Sequence, residues 1–231
     1  MRLTMESAAQ QFLVDQELKG NSLQTIKYYD INLKFFREFL GPEKLANELT
    51  LQDLKGYLIS LKSRNKMVNH PFKPKEDKPM KSVSVQTYIR AIRVFIKWLQ
   101  NEGYLVQDLH SQFKLPKATK TTIEILSDEE IQTLMKSMKQ NTEMGLRNSC
   151  MIALMLDSGL RRTEVLNIDH DNVHLSQGIV KVRGKGDKER IVPLGLYTKK
   201  LLLKYISSYR SMPAYETKRL FIDATFKPVS D

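Results

Sequence analysis

Apolar residues recur every three or four positions through most of the first hundred residues, and that spacing predicts helices. The first spans Met5 to about Lys19 and is broken by Gly20-Asn21. Ser22 is a good N-cap for a second, whose single stripe is Ile26, Tyr29, Leu33, Phe36 and Leu40, stopped by Gly41-Pro42. Thr50 caps a third, Leu51 to about Arg64, with Asp53 placed as a capping-box partner. A polar, proline-containing loop over 66–81 then leads to a fourth, from Ser82 or Ser84 to Gln100, ended by Gly103. After a connector without apolar period (111–126), Ser127-Asp128-Glu129-Glu130 opens a helix that runs to about Lys139. An apolar helix follows over Glu143 to Asp157, ended by Ser158-Gly159, then a short one over Arg162 to Asn167. There the period switches to two. Ile179–Arg183 and Arg190–Leu194 read as strands of a hairpin about a Gly-Lys-Gly-Asp-Lys turn. A helix from Tyr197 to Arg210 and a short strand at Leu220-Phe221-Ile222 complete the pattern. The expectation is two domains: four helices over 1–110, then an α+β region over 127–231.

The fourth helix has two unlike faces. Val85, Ile89, Ile92, Ile96 and Leu99 make the apolar one, while Gln86, Arg90, Arg93 and Lys97 align on the other. No Asp or Glu falls between Ser82 and Gln100, and residues 62–97 hold ten Lys and Arg against two acids. With a net charge of +11 over 231 residues, that concentration points to a polyanion, and a cationic face carrying Gln and Arg suits the DNA major groove. No apolar run is long enough to span a bilayer, and the N-terminus reads as an amphipathic helix rather than a signal peptide. The lone Cys150, in an apolar run, reads as a buried thiol, with no disulfide or thiolate metal site implied. These features together read as a cytoplasmic protein.

Two cations stand on rigid supports. Gly159-Leu160-Arg161-Arg162-Thr163-Glu164 puts Arg161 at a helix start, where free backbone N–H groups favour an anion and the guanidinium fork can hold two phosphate oxygens. Gly184-Lys185-Gly186 puts Lys185 in a tight turn, and an ammonium, unlike a guanidinium, can give a proton to a leaving oxygen.

DSGLRRTEVLNIDHDNV followed by IVKVRGKGDKERIVPLG resembles the first half of the catalytic domain of the tyrosine recombinases, the phage-integrase-like site-specific recombinases. SLQTIKYYDINLKFFREFL and SVSVQTYIRAIRVFIKWLQNEGYL resemble two helices of that family's all-α, SAM-like core-binding domain. The resemblance implies that Arg161 is the first catalytic arginine, Lys185 the catalytic lysine, and Glu164 the acid that supports Arg161. It further implies that Ser22 and Thr25 touch phosphates and that Gln86, Arg90, Arg93 and Lys97 face the major groove of double-stranded DNA. The family's reaction joins DNA to a tyrosine through a 3′-phosphotyrosyl bond without metal or other cofactor, in a tetramer on two duplexes. The expected His-x-x-Arg motif is not matched by His70, His110, His170 or His174, and Tyr197, Tyr205, Tyr209 and Tyr215 suit packing. The expectation is therefore a C-terminally incomplete, inactive catalytic domain, monomeric in solution. Two alternatives stay open: a non-catalytic DNA-binding protein derived from a shortened recombinase, and an unrelated basic helical protein that binds RNA.

Overall fold

Local signals set most helix ends. The structure is a computed structural model that describes residues 3–66, 76–119, 122–184, 186, 188–213 and 216–229. The chain divides into two compact units, Met1–Thr122 and Ile123–Asp231.

In the first unit the helices are α1 (Met5–Leu18), α2 (Leu23–Leu40), α3 (Leu51–Ser63), α4 (Ser82–Asn101) and the single turn α5 (Leu109–Gln112). The Ser22 hydroxyl accepts from the Thr25 N–H at α2, and Thr50 and Asp53 close a reciprocal capping box on α3. The apolar face of α4 is buried from Val85 through Leu99, as its spacing requires. Phe12 of α1 lies at the centre of an aromatic cluster, its ring 5.1 Å from Tyr29, 5.4 Å from Phe95 and 5.7 Å from Trp98.

Two expectations for this unit change. The loop over 66–81 holds a short antiparallel pair, β1 (Asn65–Lys66) with β2 (Glu76–Pro79); residues 67–75 lie outside the described residues. The expected connector over 111–126 is partly built into the unit: Phe113 is buried in the same core as Leu105 and Leu109, and Leu115 packs against it. An apolar residue every four positions was the signal, too short to read as a helix.

The second unit is formed by α6 (Asp128–Ser137), α7 (Glu143–Ser158), the one-turn α8 (Arg162–Leu166), α9 (Leu196–Lys204) and a sheet of β3 (Val173–His174), β4 (Ile179–Arg183) and β5 (Glu189–Pro193). The sheet is antiparallel in the order β3-β4-β5. β3 did not show in the sequence, because two residues carry no period. Val180, Val182 and Val192 face the core, where Leu146, Cys150 and Leu154 of α7 meet them. Burial pushes the Cys150 thiol up to about 12, so it stays protonated. After α9 a five-residue π-helical turn, Tyr205–Tyr209, replaces the expected continuation to Arg210. Leu220, Phe221 and Ile222 are all buried, and the segment makes only isolated bridges, Asp169 with Arg219 and Ile222 with Pro228. Three successive apolar residues bury on every side, whereas a half-exposed strand alternates.

Replacing Phe12 by Ala should leave a cavity at the aromatic cluster and lower the unfolding free energy by about 3–5 kcal/mol in urea melts. A loss below about 1 kcal/mol would mean that the cluster can collapse around the gap.

Candidate functional site

Gly159 ends α7 in the left-handed region (φ 60°), a conformation without penalty for glycine. That reversal buries Leu160 and delivers Arg161 to the N-cap of α8. Glu164, three residues on, accepts from the Arg161 backbone N–H at 2.8 Å and from its Nη1 at 3.0 Å. Arginine has no acceptor to offer in return, so this is half of a capping box. Glu164 is 4% exposed, while the Arg161 side chain is 72% exposed. The carboxylate is inside and the guanidinium it holds faces outward.

A second guanidinium completes the arrangement. Arg190 of β5 donates from Nη1 to Glu164 Oε1 at 2.7 Å and from Nη2 to Oε2 at 2.9 Å, a bidentate pair. The Arg190 bonds hold the Glu164 carboxyl down at about 2, with the two Arg161 bonds adding to them and burial opposing. Glu164 in turn raises the Arg190 pKa through the same bonds. The sequence reading passed over Arg190, yet the signal was there. It pairs with Val182 and alternates with Val192, which places a cation on the core-side face of the hairpin, 41% exposed and within reach of a buried acid.

Lys185 lies outside the described residues, but both glycines beside it are described. The Gly184 N–H donates to Lys188 O at 2.9 Å, and Gly186 has φ 75°, so the turn needs glycine there. A Cβ built on Gly184 would lie 3.1 Å from both Glu164 Oε1 and Arg190 Nη1. The residue before Lys185 therefore rests against the carboxylate that grips Arg161.

Elsewhere in this unit, Asp157 Oδ2 accepts from the Gly195 N–H at 2.6 Å and Ser158 Oγ donates to Pro193 O at 3.1 Å, tying the end of α7 to the end of β5. Tyr205 is buried against Phe221, Tyr209 packs on the same core, and Tyr197 is exposed; Tyr215 lies outside the described residues. Among the described residues no three His, Cys, Asp or Glu come together as a metal site.

In the helical unit the polar stripe of α4 is divided between two uses. Gln86 Nε2 donates to Pro116 O at 2.6 Å, and Arg93 Nη1 donates to His110 O at 2.8 Å and also to Phe113 O. The Ser82 hydroxyl accepts from the Thr119 N–H at 3.0 Å. These side chains hold the segment that follows α5, while Arg90 and Lys97 stay exposed; Arg90 Nη2 also donates to Gln86 Oε1 at 3.0 Å. Arg93 Nη2 is 3.2 Å from His110 Nε2, and burial first, then the Arg93 and Lys97 charges, lower the His110 pKa. Ser22 and Thr25 are joined by their hydroxyls at 3.0 Å.

Residues 124–231 match the model of the Phage integrase family. Tyrosine recombinase XerD of Listeria monocytogenes serotype 4b is 30% identical over 211 residues, covering 89% of this chain and 66% of that protein. The chain belongs to the tyrosine recombinase family. Tyrosine recombinase XerD of Staphylococcus haemolyticus is 29% identical over 234 residues, covering 98% of this recombinase chain and 74% of its relative. The fold is similar to that of a lambda integrase tetramer bound to a Holliday junction, with a TM-score of 0.72 at 13% identity over 99% of this chain and 62% of that one. It is also similar to the Tn1549 transposon integrase (aa 82–397) in complex with circular intermediate DNA, with a TM-score of 0.72 at 12% identity over 99% of this chain and 74% of that one. The chain spans 66%, just under two thirds, of the length of the Listeria relative.

The lowered carboxyl gives a signed prediction. The bonds of Glu164 stabilise the fold fully above its ordinary value of 4.5, and that contribution fades as pH falls towards about 2. Glu164→Gln should lower the unfolding free energy by about 2 kcal/mol at pH 7, after discounting for the exposure of Arg190. In urea melts the difference should close between pH 4.5 and about 2; a difference that stays constant would show that the carboxylate charge is not what binds. In the helical unit, Arg93→Met removes the Nη1 donor that bonds two carbonyls. Trypsin should then cut at Lys114 or Lys117 several-fold faster than in the wild type, and unchanged cleavage would mean that the segment is held by other means.

Proposed function

We propose that this chain binds duplex DNA and holds a scissile phosphate between Arg161 and Lys185, as the part of a tyrosine recombinase that prepares strand cleavage and exchange. The observation that carries this reading is the outward Arg161 guanidinium fixed by an inward Glu164 beside the hairpin turn. A guanidinium held before substrate arrives needs no reordering as negative charge grows on the phosphoryl oxygens. Lys185 is assigned the proton donated to the leaving 5′-oxygen. Attack by a tyrosine would leave a 3′-phosphotyrosyl link that retains the energy of the broken bond, so the reading calls for no metal or nucleotide cofactor. We assign the nucleophile to none of Tyr197, Tyr205 and Tyr209: Tyr205 is buried, Tyr209 packs against the same core, and the exposed Tyr197 sits at the start of α9 with its hydroxyl 3.4 Å from Gln140 Nε2.

In the helical unit, proposed as the core-binding domain, Arg90 and Lys97 are the exposed cations of α4 for DNA, with Ser22 and Thr25 at the start of α2 as phosphate partners. The lambda and Tn1549 integrases of similar fold are bound to DNA in their structures, which supports DNA as the partner. We further propose that this chain is a monomer in solution, which light scattering would check.

Binding of a fluorescent duplex should weaken steeply between 50 and 200 mM salt, by roughly tenfold or more, as counterions return to the phosphates. Arg161→Ala should weaken it about tenfold at fixed salt. A flat salt response would sink the reading. With a nicked suicide duplex the chain should form no denaturant-resistant adduct; a covalent band would assign the nucleophile to one of its own tyrosines.

A further inference from the structure

We infer that Arg190 is a positioning residue for Arg161, acting through Glu164 to lock the β4–β5 hairpin and the start of α8 into one unit. The inference deepens the proposed function and rests on it for the role of Arg161. Glu164 is the shared element: each of its oxygens accepts one bond from Arg190 and one from Arg161, at 2.7–3.0 Å. Arg190 comes from β5 and Arg161 from the mouth of α8, so the carboxylate joins two segments whose partners lie 26 residues apart.

Charge makes the role more than mechanical. With both guanidinium groups present, the trio carries one net positive charge. Without Arg190, the buried carboxylate would neutralise Arg161 and draw it inward, and an incoming phosphate would meet a cation already paired. Arg190 thus frees Arg161 electrostatically while holding it geometrically. Among the described residues, Arg161 and Arg190 are the charged groups hydrogen-bonded to Glu164, and a Cβ added at Gly184 would lie 3.1 Å from its Oε1.

Two measurements on the 231-residue chain test this. The first needs no DNA. Rotation of the Arg161 guanidinium, read from its Nη resonances, should be slower in Arg190→Met than in the wild type, because the carboxylate then pairs with Arg161 alone, and intermediate in Arg190→Lys, which keeps charge but not the fork. Unchanged rotation in Arg190→Met, with the fold intact by thermal melt, overturns the inference. The second is a double-mutant cycle on duplex binding. Arg190→Met should weaken binding about fivefold to tenfold alone, and less than twofold when Arg161→Ala is already present. Equal, additive losses would make Arg190 an independent phosphate contact and overturn the positioning role.

The pH response separates this from simple destabilisation. In Arg190→Met, Glu164 loses its main partner and takes up a proton closer to neutrality, which releases Arg161. Binding by that variant should therefore tighten from pH 7 to pH 5 by more than the wild type does, and Glu164→Gln in the same background should abolish the excess. A variant that only loosened the fold would bind worse as pH fell, which would also overturn the inference. Absence of DNA binding by the wild type would sink the proposed function, while the Arg161 rotation would still decide the positioning role.

Discussion

Everything around the candidate site is arranged about one buried carboxylate. An ionised Glu in a dry position is costly unless both oxygens are bonded, and Glu164 meets that condition with two guanidinium groups and a backbone N–H. The requirement propagates outward. α8 must begin where it does so that Arg161 comes within reach, and Gly159 makes that start possible by reversing the chain. β5 must turn Arg190 inward, and the hairpin must pass close enough for Gly184 to touch the pair. Removing Glu164 would leave two neighbouring guanidinium groups without the anion they share.

The helical unit shows a different economy of polar groups. A segment that crosses a helix face brings backbone carbonyls that need donors, and α4 provides them from the same stripe that carries its exposed cations. Periodicity placed Gln86, Arg90, Arg93 and Lys97 together on one face. It could not show that two of them bond Phe113 and Pro116, 20 and 30 residues further on. A cationic stripe in a sequence thus sums two demands: donors for the chain itself, and charge for whatever the surface meets.

What the sequence made legible was local. Ser22, Thr50 and Ser127 cap the helices they were expected to cap, because an N-cap bond spans only three residues. The buried face of α4 and the two strands of the hairpin followed from periods of 3.6 and 2. β1, β2 and β3 escaped, being two to four residues long and without alternation to read. At the candidate site, Arg161 and Glu164 were legible as a helix start with its acid, whereas the long-range partner Arg190 was not, although strand parity already turned it inward. Pairing across 26 residues depends on how the hairpin folds over α8, and only the structure supplies that.

Gly184 has φ outside the left-handed region, so its smallness serves spacing rather than backbone freedom. It acts as a shim of zero thickness between the hairpin and the carboxylate. A single methyl there would sit 3.1 Å from Glu164 Oε1 and Arg190 Nη1, and one of those side chains would have to give by a few tenths of an ångström. One hydrogen atom in place of a side chain thereby leaves the ion pair room to close beneath the hairpin.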